Sequence, residues 1–184
     1  MLSGKKIVLG VSGGIAAYKA CELVSRLKKL NADVHVIMTA SAAKFVAPLT
    51  FQSLSLNQVT VDMFDTPNYW EIEHISLAKL ADVIVIAPAT ANIIGKLANG
   101  IADDMLSTTV MATKAKVMIA PAMNTNMYEN PVLKRNIKLL SELGYIMIPP
   151  TEGRLACGDV GKGKMAEPAV IEESIIDLLN PKQD

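Results

Sequence analysis

The sequence predicts an α/β fold: a doubly wound, Rossmann-like, mostly parallel sheet of six strands with helices on both faces. Two observations lead to this prediction. Short apolar runs alternate with segments of helical periodicity along the 184 residues, which is typical of strands joined by crossover helices. The central runs are apolar throughout, as expected for strands buried on both faces. The length suits one domain, which we take as residues 1–184.

Each strand is predicted from a short run rich in Val, Ile or Met. In chain order these runs are Lys6–Val11 (KIVLGV), Asp33–Met38 (DVHVIM), Thr60–Met63 (TVDM), Asp82–Ala87 (DVIVIA), Lys116–Ala120 (KVMIA) and Tyr145–Ile148 (YIMI). Between and after them, apolar residues recur at helical spacing. The predicted helices are Gly14–Leu30, Ser41–Leu56, His74–Leu80, Ala91–Asn99, Asp103–Ala112, Pro131–Leu143 and Ala169–Leu179.

Charge and cysteine content argue against several classes of function. Eighteen basic residues balance eighteen acidic ones, and there is no run of Lys or Arg, so no nucleic-acid partner is expected. The two cysteines lie far apart and form no Cys-x-x-Cys pair, which argues against a disulfide framework and a zinc site. The first apolar run is too short for a signal peptide or a membrane span. We therefore expect a cytoplasmic protein with no membrane partner and no metal.

A glycine pair follows the first strand. Gly13 and Gly14 stand at a strand-to-helix turn, where the backbone can approach an anion and the helix N-terminus presents N–H groups to it. The spacing is not that of the dinucleotide fingerprint, and no acidic residue follows the second strand to hold an adenosine ribose. A mononucleotide phosphate therefore fits better than NAD, with Thr39 and Ser41 as candidate donors. The alternatives are a tight turn and two hydroxyls that cap the next helix.

Polar residues also follow the fourth and fifth strands, at the edge of the sheet where ligands bind in this fold class. Thr90 and Asn92 come after small residues that leave room for a flat ring, although Thr90 could also cap the next helix. Asn124 directly follows the fifth strand, and its amide could bind a carboxylate or belong to an ordinary turn. His74 stands at the start of the helix before the fourth strand and is either functional or structural.

Five pieces of the chain, in this order, resemble a known family. They are Ser12–Ala16 (SGGIA), His74, Pro88–Asn92 (PATAN), Pro121–Asn124 (PAMN) and the loop around Cys157. With them the chain resembles the flavin-dependent cysteine decarboxylases over nearly its whole length, and within that family the enzymes that act on 4′-phosphopantothenoylcysteine. The resemblance implies FMN as cofactor and conversion of that small-molecule substrate to 4′-phosphopantetheine in coenzyme A biosynthesis. The reaction would proceed by thiol oxidation, loss of CO₂ and re-reduction of the enethiol.

The resemblance also implies roles for single residues. Asn124 would hold the substrate carboxylate, and His74 would serve in the oxidative half as a base or an orienting group. Cys157, in a glycine-hinged substrate-clamp loop at about 153–168, would deliver a proton to the enethiol. The residues expected to contact FMN are Ser12, Gly13, Gly14, Ile15, Thr39, Ser41, Thr90, Asn92 and Met123. Those expected to contact the substrate are Asn124, Ala156, Cys157, Gly158, Lys164 and Met165.

The clamp loop departs from the family pattern at one position. The family commonly has Gly-x-Gly-Arg-Met, whereas this chain has GKGKM at Gly161–Met165. Lysine keeps the positive charge but lacks the planar guanidinium fork. Lys164 therefore offers an anion a point charge in place of a bidentate contact.

Three other functions stay open on the sequence alone. A peptidyl-cysteine decarboxylase would release the enethiol without reducing it, so Cys157 would have no proton to deliver. The His74 and Asn124 motifs disfavour a flavin prenyltransferase, and a non-catalytic regulatory flavoprotein would not need these three residues. The resemblance further implies a homotrimer or a dodecamer, and a phosphopantothenoylcysteine synthetase domain fused to or following the chain.

Overall fold

Six strands form the central sheet of the structure, a computed structural model that describes residues 1–64, 73–154, 158 and 160–181. The strands are β1 (Lys6–Val11), β2 (Asp33–Met38), β3 (Val59–Thr60), β4 (Val83–Ala89), β5 (Lys116–Pro121) and β6 (Ile146–Met147). Their order across the sheet is β3-β2-β1-β4-β5-β6, and every neighbouring pair is parallel. This is the doubly wound order of Rossmann-like folds, so the predicted fold class is confirmed.

Helices connect these strands and cover the sheet. In the described residues they are α1 (Ala17–Lys29), α2 (Pro48–Ser55), α3 (Glu73–Leu80), α4 (Ala91–Ala98), α5 (Met105–Ala112), α6 (Thr125–Glu129), α7 (Pro131–Glu142) and α8 (Pro168–Leu179). The short helix α6 was not predicted from the sequence. In the part of the chain that the structure describes, no helix combines the length and the apolar character that crossing a bilayer requires.

The buried apolar side chains form two clusters, one on each face of the sheet. Successive residues of β4 alternate between them: Val83 and Val85 belong to the first cluster, Ile84 and Ile86 to the second. This alternation is the two-residue period of a strand. Helices α1, α2 and α8 pack in the first cluster, and α3, α4, α5 and α7 in the second. The sheet is therefore covered on both faces, which is why the central strand β4 is buried at every position.

The prediction of one helix over Ser41–Leu56 is wrong. The structure has a 3₁₀ turn at Ala42–Lys44 and then α2, which begins at Pro48. Proline has no N–H to donate within a helix and disfavours helical backbone in the residue before it. Ala47 accordingly has extended backbone, with φ −65° and ψ 138°. The proline therefore starts a new helix and cannot continue the turn.

The segment predicted as a loop at about 153–168 is partly a β-hairpin. Its strands are β7 (Thr151–Arg154) and β8 (Val160–Lys164), which pair antiparallel in a separate two-stranded sheet. Gly153 and Gly163 have φ values of +159° and +145°, an extended backbone that glycine reaches most easily. Glycines are therefore part of both strands of the hairpin.

Candidate active site

The candidate site lies where the order of the strands reverses. β1 leads into α1 and β4 leads into α4, on opposite faces of the sheet, so the chain diverges between the carboxyl ends of these two neighbours. A cavity of about 600 Å³ opens there, within the range of about 300–1,000 Å³ that is usual for ligand pockets. Its walls come from the turns after β1, β4 and β5 and from the hairpin.

The turn after β1 packs closely against the turn after β2. A Cβ atom at Gly13 would overlap with the Cβ of Ser41 and lie 2.9 Å from its carbonyl carbon, so this position requires glycine. At Gly14 the nearest atom to such a Cβ would be Thr90 Cγ2 at 3.7 Å. The N-cap residue of α1, Ala16, makes no side-chain cap bond, and the first turn has no acidic residue. The first N–H groups of α1 donate to the carbonyl oxygens of residues 14–16, so an anion at this helix start would be bound by N–H groups of the glycine turn before it.

Ser12 is buried and joins the turns after β1 and β4. Its hydroxyl donates to the Pro88 carbonyl oxygen at 2.7 Å, and its Oγ accepts from the Thr90 N–H at 2.9 Å. Thr90 in turn caps α4, because its Oγ1 accepts from the Ile93 N–H at 3.4 Å. Thr90 also lines the cavity, so its role as a cap does not remove it from the site. The hydroxyl of Thr39 likewise accepts from the Ala42 N–H at 3.2 Å, at the 3₁₀ turn.

Asn124 is the N-cap of α6 and lines the cavity. Its Oδ1 accepts from the Asn126 N–H at 2.8 Å, which fixes the amide with Nδ2 on the opposite side. An amide held in one orientation is suited to bind a carboxylate through its N–H groups. Asn124 is therefore both the cap of α6 and part of the cavity wall.

The base of the hairpin is attached beside Asn124. The Met123 N–H donates to the Gly163 carbonyl oxygen at 2.9 Å. A Cβ at Gly163 would overlap with the Met123 carbonyl oxygen, and a Cβ at Gly161 would lie 2.7 Å from Thr125 Oγ1. Both glycines thus allow β8 to approach the start of α6 closely. One strand of the predicted clamp is consequently fixed to the turn that carries Asn124.

We expect Gly163→Ala to loosen this attachment. Its φ of +145° is unfavourable for alanine, and its methyl group would overlap with Met123. A strain of about 1–3 kcal/mol should speed hydrogen exchange of the Met123 amide by about ten- to a hundredfold. Gly144→Ala is the matched control, because Gly144 has φ +91° but nothing within 4 Å of the added Cβ. Unchanged exchange at Met123 in Gly163→Ala would contradict the close packing described here.

Glu167 joins two lysines of the cavity wall. Both of its carboxylate oxygens lie 3.0 Å from Lys19 Nζ, and Oε1 also lies 3.0 Å from Lys164 Nζ. The ammonium groups of Lys19 and then Lys164 hold the pKa of Glu167 below its usual range. The charged residues that line the cavity in the described part of the chain are Lys19, Lys164 and Arg154, all cationic. The wall therefore favours an anionic ligand.

Only some of the predicted site residues line the cavity. Those that line it are Gly13, Gly14, Ile15, Thr90, Met123, Asn124, Lys164 and Met165. Others do not line it: Ser12, Thr39, Ser41 and Asn92 follow strands at the same edge of the sheet, and Gly158 follows β7. His74 lies on α3 and does not line it either. Ala156 and Cys157 lie outside the described residues.

Sequence reasoning missed two cationic residues of the cavity. Lys19 lies on the apolar face of α1, between the buried residues Ala17 and Ala20, and is itself buried. A lysine on the buried face of a helix is unusual unless it is paired, so a signal was present. Arg154 lies in the segment predicted as a loop, where no periodicity indicates which way a side chain faces.

Three comparisons with known proteins show what this chain is similar to, and all three find flavoproteins or coenzyme A biosynthesis proteins. The sequence matches the family model described as Flavoprotein over residues 1–180. It is 57% identical over 178 residues to the coenzyme A biosynthesis bifunctional protein CoaBC of Bacillus subtilis (strain 168), covering 97% of this chain and 43% of that protein. The chain thus spans less than half the length of this relative.

Solved structures are similar over nearly their whole length. One is a PPC decarboxylase with a Cys-to-Ser substitution, complexed with pantothenoylaminoethenethiol. It has a TM-score of 0.83 and 36% identity, covering 93% of this chain and 96% of that one. Another is the FMN binding protein AtHal3, with a TM-score of 0.82 and 36% identity, covering 98% of both chains.

Proposed function

Because this chain belongs to the flavoprotein family, we propose that it is an FMN-dependent decarboxylase that converts 4′-phosphopantothenoylcysteine to 4′-phosphopantetheine in coenzyme A biosynthesis. One observation carries the proposal: Asn124 and a cationic hairpin line one cavity at the switch point of the sheet. This wall suits a substrate that has a carboxylate at one end and a phosphate at the other. The names of the bifunctional relative and of the solved decarboxylase support the same reaction.

The residues at the edge of the sheet fit FMN. The tight turn at Gly13, which precedes α1, would hold its phosphate, with Thr39 and Ser41 nearby. The remaining contacts would come from Ser12, Gly14, Ile15, Thr90, Asn92 and Met123. When bound, FMN supplies the two-electron oxidation of the substrate thiol and the electrons for the final reduction. The FMN binding protein among the solved relatives supports this cofactor.

The oxidation is needed because of the substrate's chemistry. Direct loss of CO₂ from an N-acylated cysteine would leave an unstabilised carbanion on Cα. Once the CH₂–SH unit is a thioaldehyde, the electrons released by CO₂ loss enter the C=S group and form an enethiolate. The barrier to decarboxylation is therefore much lower in the oxidised substrate.

In this chain, three residues would guide these changes. Asn124 would hold the carboxylate and fix its torsion, and His74 would act in the oxidative half as a base or an orienting group. Cys157 would protonate the enethiol carbon during its reduction. The solved relative with a Cys-to-Ser substitution holds pantothenoylaminoethenethiol, which is the kind of product that a missing proton donor would leave.

The proposal predicts a yellow protein that releases FMN on denaturation and converts 4′-phosphopantothenoylcysteine to saturated 4′-phosphopantetheine and CO₂. Absorption spectroscopy and mass spectrometry of the products test it. Release of FAD or NAD would contradict the cofactor assignment. If the protein holds FMN but produces only the free enethiol, it resembles a peptidyl-cysteine decarboxylase. Prenyl transfer to FMN, or FMN without any turnover, would point to the prenyltransferase or the regulatory alternative.

We also propose that the site is completed in a homotrimer, alone or within a dodecamer. His74 does not line the cavity of its own chain, and a trimer could bring it to the cavity of a neighbour. Apolar side chains around α2 are exposed: Phe45 by 51%, Leu49 by 68% and Leu56 by 79%. Contact between protomers would bury such residues.

The length of the bifunctional relative supports a further proposal about the whole protein. This chain matches only 43% of that relative, so we propose that a phosphopantothenoylcysteine synthetase domain accompanies it. We place the enzyme in the cytoplasm, where bacterial coenzyme A synthesis would supply its substrate.

A further inference from the structure

The three cations of the cavity wall differ in their surroundings. Lys19 and Lys164 each lie 3.0 Å from Oε1 of Glu167, so one carboxylate offsets part of their charge. Arg154, at the end of β7, is exposed and has no ion pair with any residue in the described ranges. Its guanidinium group is therefore the cation of this wall that is most available to a ligand.

Arg154 is also far from the base of the hairpin. It pairs with Val160 of β8, three residues before Gly163, whose carbonyl oxygen accepts from the Met123 N–H. At about 3.3 Å per residue, this places its backbone about 10 Å from the base. Asn124 follows Met123 directly, so the backbone of Arg154 is separated along the hairpin from the turn that carries Asn124.

We infer that Arg154 binds the phosphate of the substrate and thereby selects the phosphorylated substrate over its dephosphorylated form. This inference rests on the proposed function, in which Asn124 holds the carboxylate at the other end of the same molecule. A guanidinium group matches a phosphate with two parallel N–H···O bonds, which a lysine cannot provide. Arg154 thus contributes the bidentate anion contact that the lysine at position 164 does not offer.

The experiment compares 4′-phosphopantothenoylcysteine with pantothenoylcysteine in the FMN-loaded enzyme. Arg154→Gln should lower kcat/KM for the phosphorylated substrate by about ten- to a hundredfold and leave kcat/KM for the other unchanged. Arg154→Lys should recover part of the loss. The same preference should appear as a difference in Kd between 4′-phosphopantetheine and pantetheine, measured by calorimetry without turnover. The matched control is Lys162→Gln, which removes an exposed cation of the same hairpin that does not line the cavity.

Several results would overturn the inference. An equal loss for both substrates would show that Arg154 acts on the part they share. Weaker FMN binding in Arg154→Gln would assign the guanidinium group to the phosphate of the cofactor. Equal Kd values for the two products in the wild-type protein would also refute it, even if the enzyme is a decarboxylase. Failure of the proposed function is a separate result: wild-type protein with bound FMN would then turn over neither substrate.

Discussion

Asn124→Asp is expected to lower kcat/KM for 4′-phosphopantothenoylcysteine by about a thousandfold without disturbing the fold. The new carboxylate would stand beside the substrate carboxylate, and such a like-charge contact costs several kcal/mol. The N-cap of α6 should survive, because aspartate accepts from the Asn126 N–H as well as asparagine does. The loss should therefore appear in steady-state kinetics and not in the melting temperature.

Asn130→Asp provides the matched control for this prediction. Asn130 caps α7 in the same way, with Oδ1 accepting from the Val132 N–H at 2.9 Å, but it does not line the cavity. Its replacement should change neither kinetics nor stability. Turnover close to wild type in Asn124→Asp would show that the substrate carboxylate binds elsewhere.

The sheet was the part of the fold that local sequence could predict. β1 and β2 have the predicted bounds, because each contains a run of apolar residues that is buried in the sheet, interrupted only by the partly exposed Asp33 and His35 of β2 and preceded by the exposed Lys6 of β1. The edge strands β3 and β6 have only two residues each; β6 lies within its predicted run, whereas β3 shares only Thr60 with the predicted Thr60–Met63. β5 extends beyond its prediction to Pro121, which pairs with Ala89 after a shift in register. Strand ends thus depend on neighbouring strands, which a single run of residues does not show.

The hairpin illustrates why other features could not be predicted. Neither β7 (TEGR) nor β8 (VGKGK) has the alternation of apolar residues that marks a strand. Its position depends on the bond from the Met123 N–H to Gly163 and on close approach to α6. These contacts join distant parts of the chain. The cap role of Asn124 was missed for a different reason: its bond to the Asn126 N–H is local, but the five-residue helix α6 that it caps was not predicted.

Cys157→Ser should separate the two halves of the proposed reaction. In that proposal, oxidation of the thiol and loss of CO₂ would require His74 and Asn124 but not Cys157. A serine hydroxyl is a much weaker acid than a thiol, so proton delivery to the enethiol carbon should fail first. The variant should release CO₂ and, in aerated buffer where oxygen takes up the two remaining electrons, accumulate an enethiol that is lighter than 4′-phosphopantetheine by two hydrogen atoms. Replacement of His74 should instead stop the reaction before any CO₂ is released.

Cys21→Ser is the control for the cysteine variant. Cys21 lies on α1, burial raises the pKa of its thiol, and it does not line the cavity. Replacement of Cys21 should leave the yield of saturated 4′-phosphopantetheine unchanged. Any enethiol formed by Cys157→Ser can then be attributed to loss of the Cys157 thiol. Mass spectrometry of the products and measurement of CO₂ distinguish the two variants directly. If Cys157→Ser forms saturated 4′-phosphopantetheine at an undiminished rate, the proton comes from another group, and the hairpin segment has a role other than delivering it.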